Sequence, residues 1–398
     1  MSKPTDALQR LRRAHEGAVL DALRSSGALS RTDLIRITGL SRTTLFTIIS
    51  EMIERASVVE TEAPATARRG RGRPPSLVAL NPGAGQLIGL DLARRRIHLA
   101  VANLSHQIIA TGMADVPEGA GVLEQAEAAV RLVKQVSGDR AVRLDALEAI
   151  GVGLIGGAGD PALPPARYAP VKERLSREFG VRVAVDNNAR LAALAESTWG
   201  AARSARDIVY ARWSVGVGGG FLVGGRLVRG ATGAAGEIGH ISLDPGGPPC
   251  HCGSRGCLEP RISAQALLDA CAAKGVRLDG VDALVAAARD RVPAVCEVIS
   301  AAATDLGRVL ADAVVQLDPQ RVVVGGELAA LGSLVLGPIR EAISRLALPH
   351  APGTVEVVPA DLGARASAMG AIALLLHDEP STGPPSPSTT SPHLAIGE

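Results

Sequence analysis

Three of the chain's five cysteines, Cys250, Cys252 and Cys257, lie within eight positions, and His240 stands ten residues before the first. Thiolates and an imidazole at this spacing can hold a metal, exchange disulfides, or simply ride on a glycine-rich loop. A His/Cys3 set is an ordinary closed tetrahedral set for structural zinc. The spacing, H-x9-C-x-C-x4-C, has a Cys-x-Cys tighter than the usual zinc ribbon. Reduced, buried cysteines therefore stay open as the alternative. Gly253 and Gly256 would let the chain fold back within five residues, so that Cys257 reaches a metal. Cys271 and Cys296 fall in helical stretches and read as core residues.

The N-terminus is polar and charged, and no run of about 18 apolar residues occurs. A cytoplasmic location without a membrane partner is expected. Disulfides are rare there, which favours metal over redox for the clustered cysteines.

The elements that must position these residues read as α/β. Strand-like segments alternate with helices from Gly85 onward, and several end in glycine turns, as in "LEAIGVGLIGGAGD", "VRVAVDNNARLAALAESTWG" and "DPQRVVVGGEL". Such order predicts ligand sites at strand ends. "ARASAMGAIALLLH" is a final helix, and the Pro/Ser/Thr-rich tail from Asp378 is expected to be disordered.

The first 80 residues differ in charge and grammar. They carry 13 Lys/Arg against 8 Asp/Glu, whereas the remaining 318 carry 29 against 32. A basic head on a mildly acidic body suggests a nucleic-acid contact. Ser30 with Asp33 has capping-box spacing for a short helix, with Leu34 and Ile37 facing inward. Gly39 marks a tight turn. Ser41 caps a second helix with Leu45, Ile48, Ile49, Met52 and Ile53 on one stripe. Its outward face near the start is Arg42, Thr43, Thr44 and Thr47, side chains suited to base edges and phosphates. An ordinary three-helix subdomain is the alternative. Residues 58–80 offer two strands around a basic loop with Arg68, Arg69, Arg71 and Arg73. Slim "RGRP" can lie in a minor groove, or serve as a solvated linker.

The order of motifs resembles the ROK family, which groups repressors, open reading frames and sugar kinases on a two-lobed, actin-like ATPase fold. The resemblance spans roughly residues 17–377. It rests on the N-terminal winged helix-turn-helix pattern, "VGVGGGFLVGGRLVRGATGAAGEIGH", "CHCGSRGCLE" and "VVVGGEL". It implies a winged helix-turn-helix over 1–80 and a sugar-kinase-like effector and oligomerisation body over 81–377. One lobe would take about 81–204 plus a helix over 364–377, the other about 205–363, with a tail over 378–398.

The resemblance also implies roles. The family's zinc ligands lie at the spacing of His240, Cys250, Cys252 and Cys257. Its E-x-G-H and C-x-E residues contact sugar hydroxyls, and these map to Glu237, His240 and Glu259. Hydrogen bonding that merely stabilises the loop is the other reading for the two glutamates. His240 would serve zinc with one ring nitrogen and sugar with the other. Asn187 and Asn188 fall in the family's N-D-A-N-like segment, read here as "DNNAR". Asn188 takes the place of the kinases' general base, and an amide cannot accept the sugar proton. The phosphate motif D-x-G-x-T keeps Asp91 but has Ala93 and Arg95, and a later loop has Ile155 for the usual proline. These departures predict no phosphoryl transfer. The expected protein is a regulator, a repressor, that binds double-stranded operator DNA as a homodimer or homotetramer. It would sense a sugar or sugar phosphate through a structural zinc site. A regulator that no longer senses sugar, and an active sugar kinase, are the alternatives.

Overall fold

The structure, a computed structural model, describes Arg12 and residues 15–20, 22–23, 26–62, 76–117, 119–138, 142–156, 164–347 and 355–377. The head contains a helix α1, helical at residues 15–20, 22, 23 and 26. Strand β1 (Leu29–Ser30), helices α2 (Arg31–Thr38) and α3 (Arg42–Glu54), and strands β2 (Val58–Glu62) and β3 (Ser76–Leu80) follow. The strands form an antiparallel sheet in the order β1-β3-β2.

Local chemistry sets these boundaries. Ser30 Oγ accepts the Asp33 backbone N–H at 3.1 Å and donates to the Asp33 carboxylate at 2.7 Å, starting α2. Gly39 ends it in the left-handed region (φ 69°), its N–H donating to the Ile35 carbonyl. Ser41 Oγ accepts the Thr44 N–H and starts α3. Leu34, Leu45, Ile48, Ile49 and Met52 are buried together with Val19, Leu23 and Val78. Ile37 departs from expectation and is 48 % exposed. The apolar path leaves α2 through Ile35 and continues into Leu40 of the turn, so position 37 falls outside it.

The body holds two sheets. In the first, β4 (Gln86–Leu92), β5 (Arg96–Asn103) and β6 (Ile108–Asp115) form an antiparallel meander, followed by helix α4 (Val122–Val136). Then come β7 (Leu147–Leu154), α5 (Pro164–Phe179), β8 (Arg182–Asn187) and α6 (Asn188–Thr198). The sheet order is β6-β5-β4-β7-β8, with β7 parallel to β4 and β8.

The second sheet repeats this plan. Strands β9 (Ile208–Trp213), β10 (Val217–Val223) and β11 (Arg226–Leu227) make the meander. Between them and the last strands run α7 (Glu259–Ile262), α8 (Ala264–Ala273), α9 (Gly280–Arg289) and α10 (Pro293–Leu317). Then β12 (Arg321–Gly325), α11 (Ser333–Leu346), β13 (Glu356–Pro359) and α12 (Ala366–His377) complete the chain. The order is β11-β10-β9-β12-β13, with β12 parallel to β9 and β13. Both sheets therefore have the pattern 3-2-1-4-5.

Helix α12 packs on the first sheet, α6 on the second, and the two helices pack on each other. Glycines permit the close approach. A Cβ on Gly370 would stand 1.8 Å from the Leu191 carbonyl oxygen, and one on Gly220 would stand 2.9 Å from Arg190 Cα. The strand ends and the start of α6 thus converge between the two sheets. Among the described residues no helix is long and apolar enough to cross a membrane.

Candidate metal centre, ligand cleft and nucleic-acid face

His240 ends a single 3-10 turn, Ile238–His240, and the chain then doubles back as an irregular hairpin. Ser242 pairs with Cys257 and Pro249 with Arg255. Gly253 (φ 88°) and Gly256 (φ 64°) make the reversals. Gly256 also admits no side chain, since a Cβ would stand 1.6 Å from the Asp244 carbonyl oxygen. The result brings His240, Cys250, Cys252 and Cys257 together, with ligand atoms all within 4.8 Å of one another.

Two separations test whether a tetrahedral ion fits. Cys252 Sγ and Cys257 Sγ are 3.7 Å apart, and Cys250 Sγ lies 3.5 Å from His240 Nδ1. Zinc bonds of ~2.3 Å to sulfur and ~2.0 Å to nitrogen at tetrahedral angles require edges of about 3.8 and 3.5 Å. The donor set and spacing suit zinc. Burial, with the neighbouring thiols, pushes the Cys257 thiol up to about 11, whereas the Ser254 backbone N–H draws Cys252 down. A bound cation would overcome the first effect, because the thiolate is its ligand.

With Nδ1 toward the cysteines, His240 Nε2 faces Glu259 Oε2 at 3.7 Å. Burial holds the His240 pKa below its ordinary value, against the pull of Glu259. Glu259 opens α7, which the indole N–H of Trp213 anchors by donating to the Ile262 carbonyl at 2.7 Å. Glu259 Oε1 accepts the Val217 N–H, and a Cβ on Gly216 would stand 2.4 Å from that oxygen. Glu237 immediately precedes the 3-10 turn and is half-buried. Sequence reasoning passed over His251, which meets His240 edge-on at 4.9 Å and brings Nε2 to 4.0 Å from Glu259 Oε2. Its place between two metal-type cysteines was the available signal. His240, His251 and Glu259 form a second group able to hold a metal.

The other edge of the candidate cleft, at the end of β8 and the start of α6, is wired differently. Asn187 caps α6, its side-chain oxygen accepting the Ala189 and Arg190 N–H groups and its amide donating to the Gly156 carbonyl. Asn188 is buried, and its amide donates to Asp91 Oδ1 at 3.2 Å. Its backbone carbonyl accepts the Ser367 hydroxyl, which in turn accepts from Arg212 on the second sheet. The other Asp91 oxygen is buried without a hydrogen-bond partner, and burial raises the Asp91 pKa against the opposing Arg212 charge. Asp186 is consumed as well. Its Oδ1 accepts from Arg190 Nε at 2.8 Å and its Oδ2 from Arg229 Nε at 2.7 Å. Arg190 continues to the carbonyls of Gly233 and Ala235, just before Glu237. That ion-paired bridge was not read from the sequence, because Arg229 lies 43 residues from Asp186.

Ala93, Arg94 and Arg95 form a short bend after β4, with both arginines exposed. Gln125 Nε2 donates to the Ala93 carbonyl. Ile155 follows β7 directly.

In the head, Arg42, Thr43 and Thr47 are exposed on α3, as expected. Thr44 is half-buried, its hydroxyl 2.8 Å from Ser41 Oγ, so it belongs to the helix cap as well. Strands β2 and β3 pair from Val58–Leu80 to Glu62–Ser76, and residues 63–75 join them in the sequence. Arg68, Arg69, Arg71 and Arg73 fall in that connection, outside the described residues.

Known proteins match this architecture. The xylose repressor of Caldicellulosiruptor bescii is 26 % identical, covering 92 % of this chain and 96 % of its own. A glucokinase of Halalkalibacterium halodurans is 31 % identical, but covers 71 % of this chain and 92 % of its own. Among solved structures, a ROK family transcriptional regulator, described as a homologue of the E. coli MLC protein, superposes with a TM-score of 0.77. It shares 25 % identity and covers 92 % of this chain and 96 % of that one. The repressor-type relatives thus span the head and the body, whereas the kinase matches a length close to that of the body alone. The body has the actin-like, ROK sugar-kinase-like fold. The model of the ROK family matches residues 87–378, and the chain belongs to that family.

Proposed function

We propose that the chain is a DNA-binding transcriptional regulator, acting as a repressor, whose body senses a sugar or sugar phosphate without phosphorylating it. One observation carries the reading. A head with an exposed helix bearing hydroxyls and arginine precedes a kinase-type body whose base position holds an amide engaged by Asp91. The nearest carboxylate in sequence, Asp186, is neutralised by two arginines and is no substitute base.

In this reading the head, residues 1–80, is a winged helix-turn-helix. Its α3 enters a major groove and its arginine-bearing wing a minor groove. Residues 81–377 are the effector and oligomerisation body, divided near residue 204, with the C-terminal helix returning to the first lobe. His240, Cys250, Cys252 and Cys257 hold a structural zinc, which supplies a fixed fold for the hairpin and no reaction step. Glu237, His240 and Glu259 receive sugar hydroxyls, with Asn187 and Asn188 on the opposite edge. Two carboxylates and an imidazole suit a polyol, since each takes more than one hydroxyl contact. The sugar alters DNA affinity by binding one arrangement of the lobes better than the other, which shifts the spacing of two heads in a dimer or tetramer.

Calorimetric titration of the zinc-loaded protein against a hexose and hexose-phosphate panel, repeated with selected duplex DNA, tests this. The expected result is one sugar that binds and changes DNA affinity, with no ADP release in a coupled kinase assay. Sugar-dependent ADP release abolished by Glu237→Ala would overturn the non-catalytic assignment. Sugar binding that leaves DNA affinity unchanged would overturn the sensing role.

A further inference from the structure

The exposed face of α3 holds one residue that hydroxyl-and-arginine reasoning passes over. Leu45, Ile48, Ile49 and Met52 bury one side of the helix, so Arg42, Thr43, Phe46, Thr47 and Ser50 share the other. Phe46 stands at the middle of that face, 40 % exposed and outside the head's core cluster. Two cations approach its ring. Arg31 Cζ lies 5.2 Å from the ring centroid and Arg42 Cζ lies 5.5 Å away. Arg31 is itself tied to Glu60 on β2, so the arrangement is oriented from the sheet side.

An apolar plate flanked by guanidinium groups suits a surface that is strongly anionic overall but offers apolar points. The major groove of DNA is such a surface. A phenyl ring neither donates nor accepts a conventional hydrogen bond, so it cannot distinguish bases by their polar edges. The apolar feature on a major-groove edge is the 5-methyl group of thymine. We propose that Phe46 selects thymine at one position of each half-site by contact with that methyl group, while Arg31 and Arg42 engage the flanking phosphates. This rests on the DNA-binding reading above.

The test uses the full-length, zinc-loaded protein and its Phe46→Ser and Phe46→Leu variants. Each selects sites from a randomised duplex library, and selected thymines are then replaced one at a time by uracil, which removes only the methyl group. For the unaltered protein one uracil per half-site should weaken binding by about fourfold, the effect of burying one methyl group. The serine variant should select any base there and show no uracil penalty, and the leucine variant should retain part of it. Phe46 is not part of the head's core cluster, so both variants should remain folded, with melting temperatures lowered by no more than the loss of the two arginine–ring contacts.

Selection of the same thymine with the same penalty by Phe46→Ser would overturn the inference, while leaving DNA binding intact. A change in oligomeric state by light scattering, with sequence preference unchanged, would assign the ring to self-association and overturn it too. Failure of the parent to enrich any sequence would overturn the DNA-binding reading along with it.

Discussion

The two edges of the proposed cleft, at His240–Glu259 and at Asp186–Arg190, differ in what their side chains are left to do. On the His240–Glu259 edge, the geometry leaves one imidazole nitrogen and one carboxylate oxygen directed at each other across 3.7 Å. These atoms are held from behind by the hairpin and by Trp213. On the Asp186–Arg190 edge, the polar groups are spent on one another. Asn188 serves Asp91, and Asp186 serves Arg190 and Arg229. In the reading proposed above, the first edge is left to receive a polyol, whereas the second is engaged in connections between the sheets.

The largest effect should come from breaking the first edge at its support. Chelation, or Cys257→Ser, should release the metal and unfold the 240–258 hairpin locally, abolishing sugar response. Metal analysis with hydrogen exchange of that segment measures it. A chelated protein that kept full sugar response would show the hairpin to be incidental.

Breaking the second edge should cost stability instead. Asp186→Ala leaves the buried Arg190 guanidinium without its carboxylate, and removal of one partner from such a pair costs about 3–5 kcal/mol. The shift in urea midpoint reads this. The same substitution should slacken the link to the Gly233 and Ala235 carbonyls, with faster exchange in that loop.

Asn188→Asp sharpens the comparison, since it puts a carboxyl at the proposed base position without changing its surroundings. It places a second carboxyl 3.2 Å from Asp91, whose pKa burial already raises. The pair should keep a proton in the folded state above the pKa of about 4 at which an unfolded aspartate releases its own. Stability should therefore fall as pH rises from there toward the raised folded value, with a loss of about 2 kcal/mol at neutral pH. Melting curves against pH give the sign. ADP release should stay absent.

The smallest effect is expected from Gly216→Ala. The new methyl group meets a flexible carboxylate end, Glu259 Oε1, so stability should barely change. Displacement of that carboxylate should weaken sugar binding by about 1 kcal/mol, roughly fivefold in Kd.

Legibility followed range. The helix caps at Ser30 and Ser41 and the turn at Gly39 were readable because each is settled within a few residues. The His/Cys set was readable for the same reason, as its ligands and turning glycines lie in one short segment. Helix α5 was not assigned from sequence. It begins at Pro164, where proline suits a first turn, yet it also contains Pro170, which reads as a breaker. Phe46 was overlooked although its spacing from Arg42 places it on the same helix face. Ile37 looked inward by spacing alone and faces solvent, because its helix ends before another apolar turn can form.

What the sequence determined by itself is thus the local grammar: where the helices of the head start and stop, which side chains can share a metal, and that an amide, Asn188, follows Asp186 and Asn187 where a strand gives way to a helix. Hydrogen-bond caps, tight turns and metal clusters close over short distances, so residue type and spacing specify them. Only the tertiary structure decided what that amide does. Asn188 meets Asp91 from 97 positions away, and Ser367 meets the Asn188 carbonyl from 179 positions away. Those partners are chosen by two sheets of the same strand order closing on α6 and α12, with backbone contact at Gly370 setting the separation.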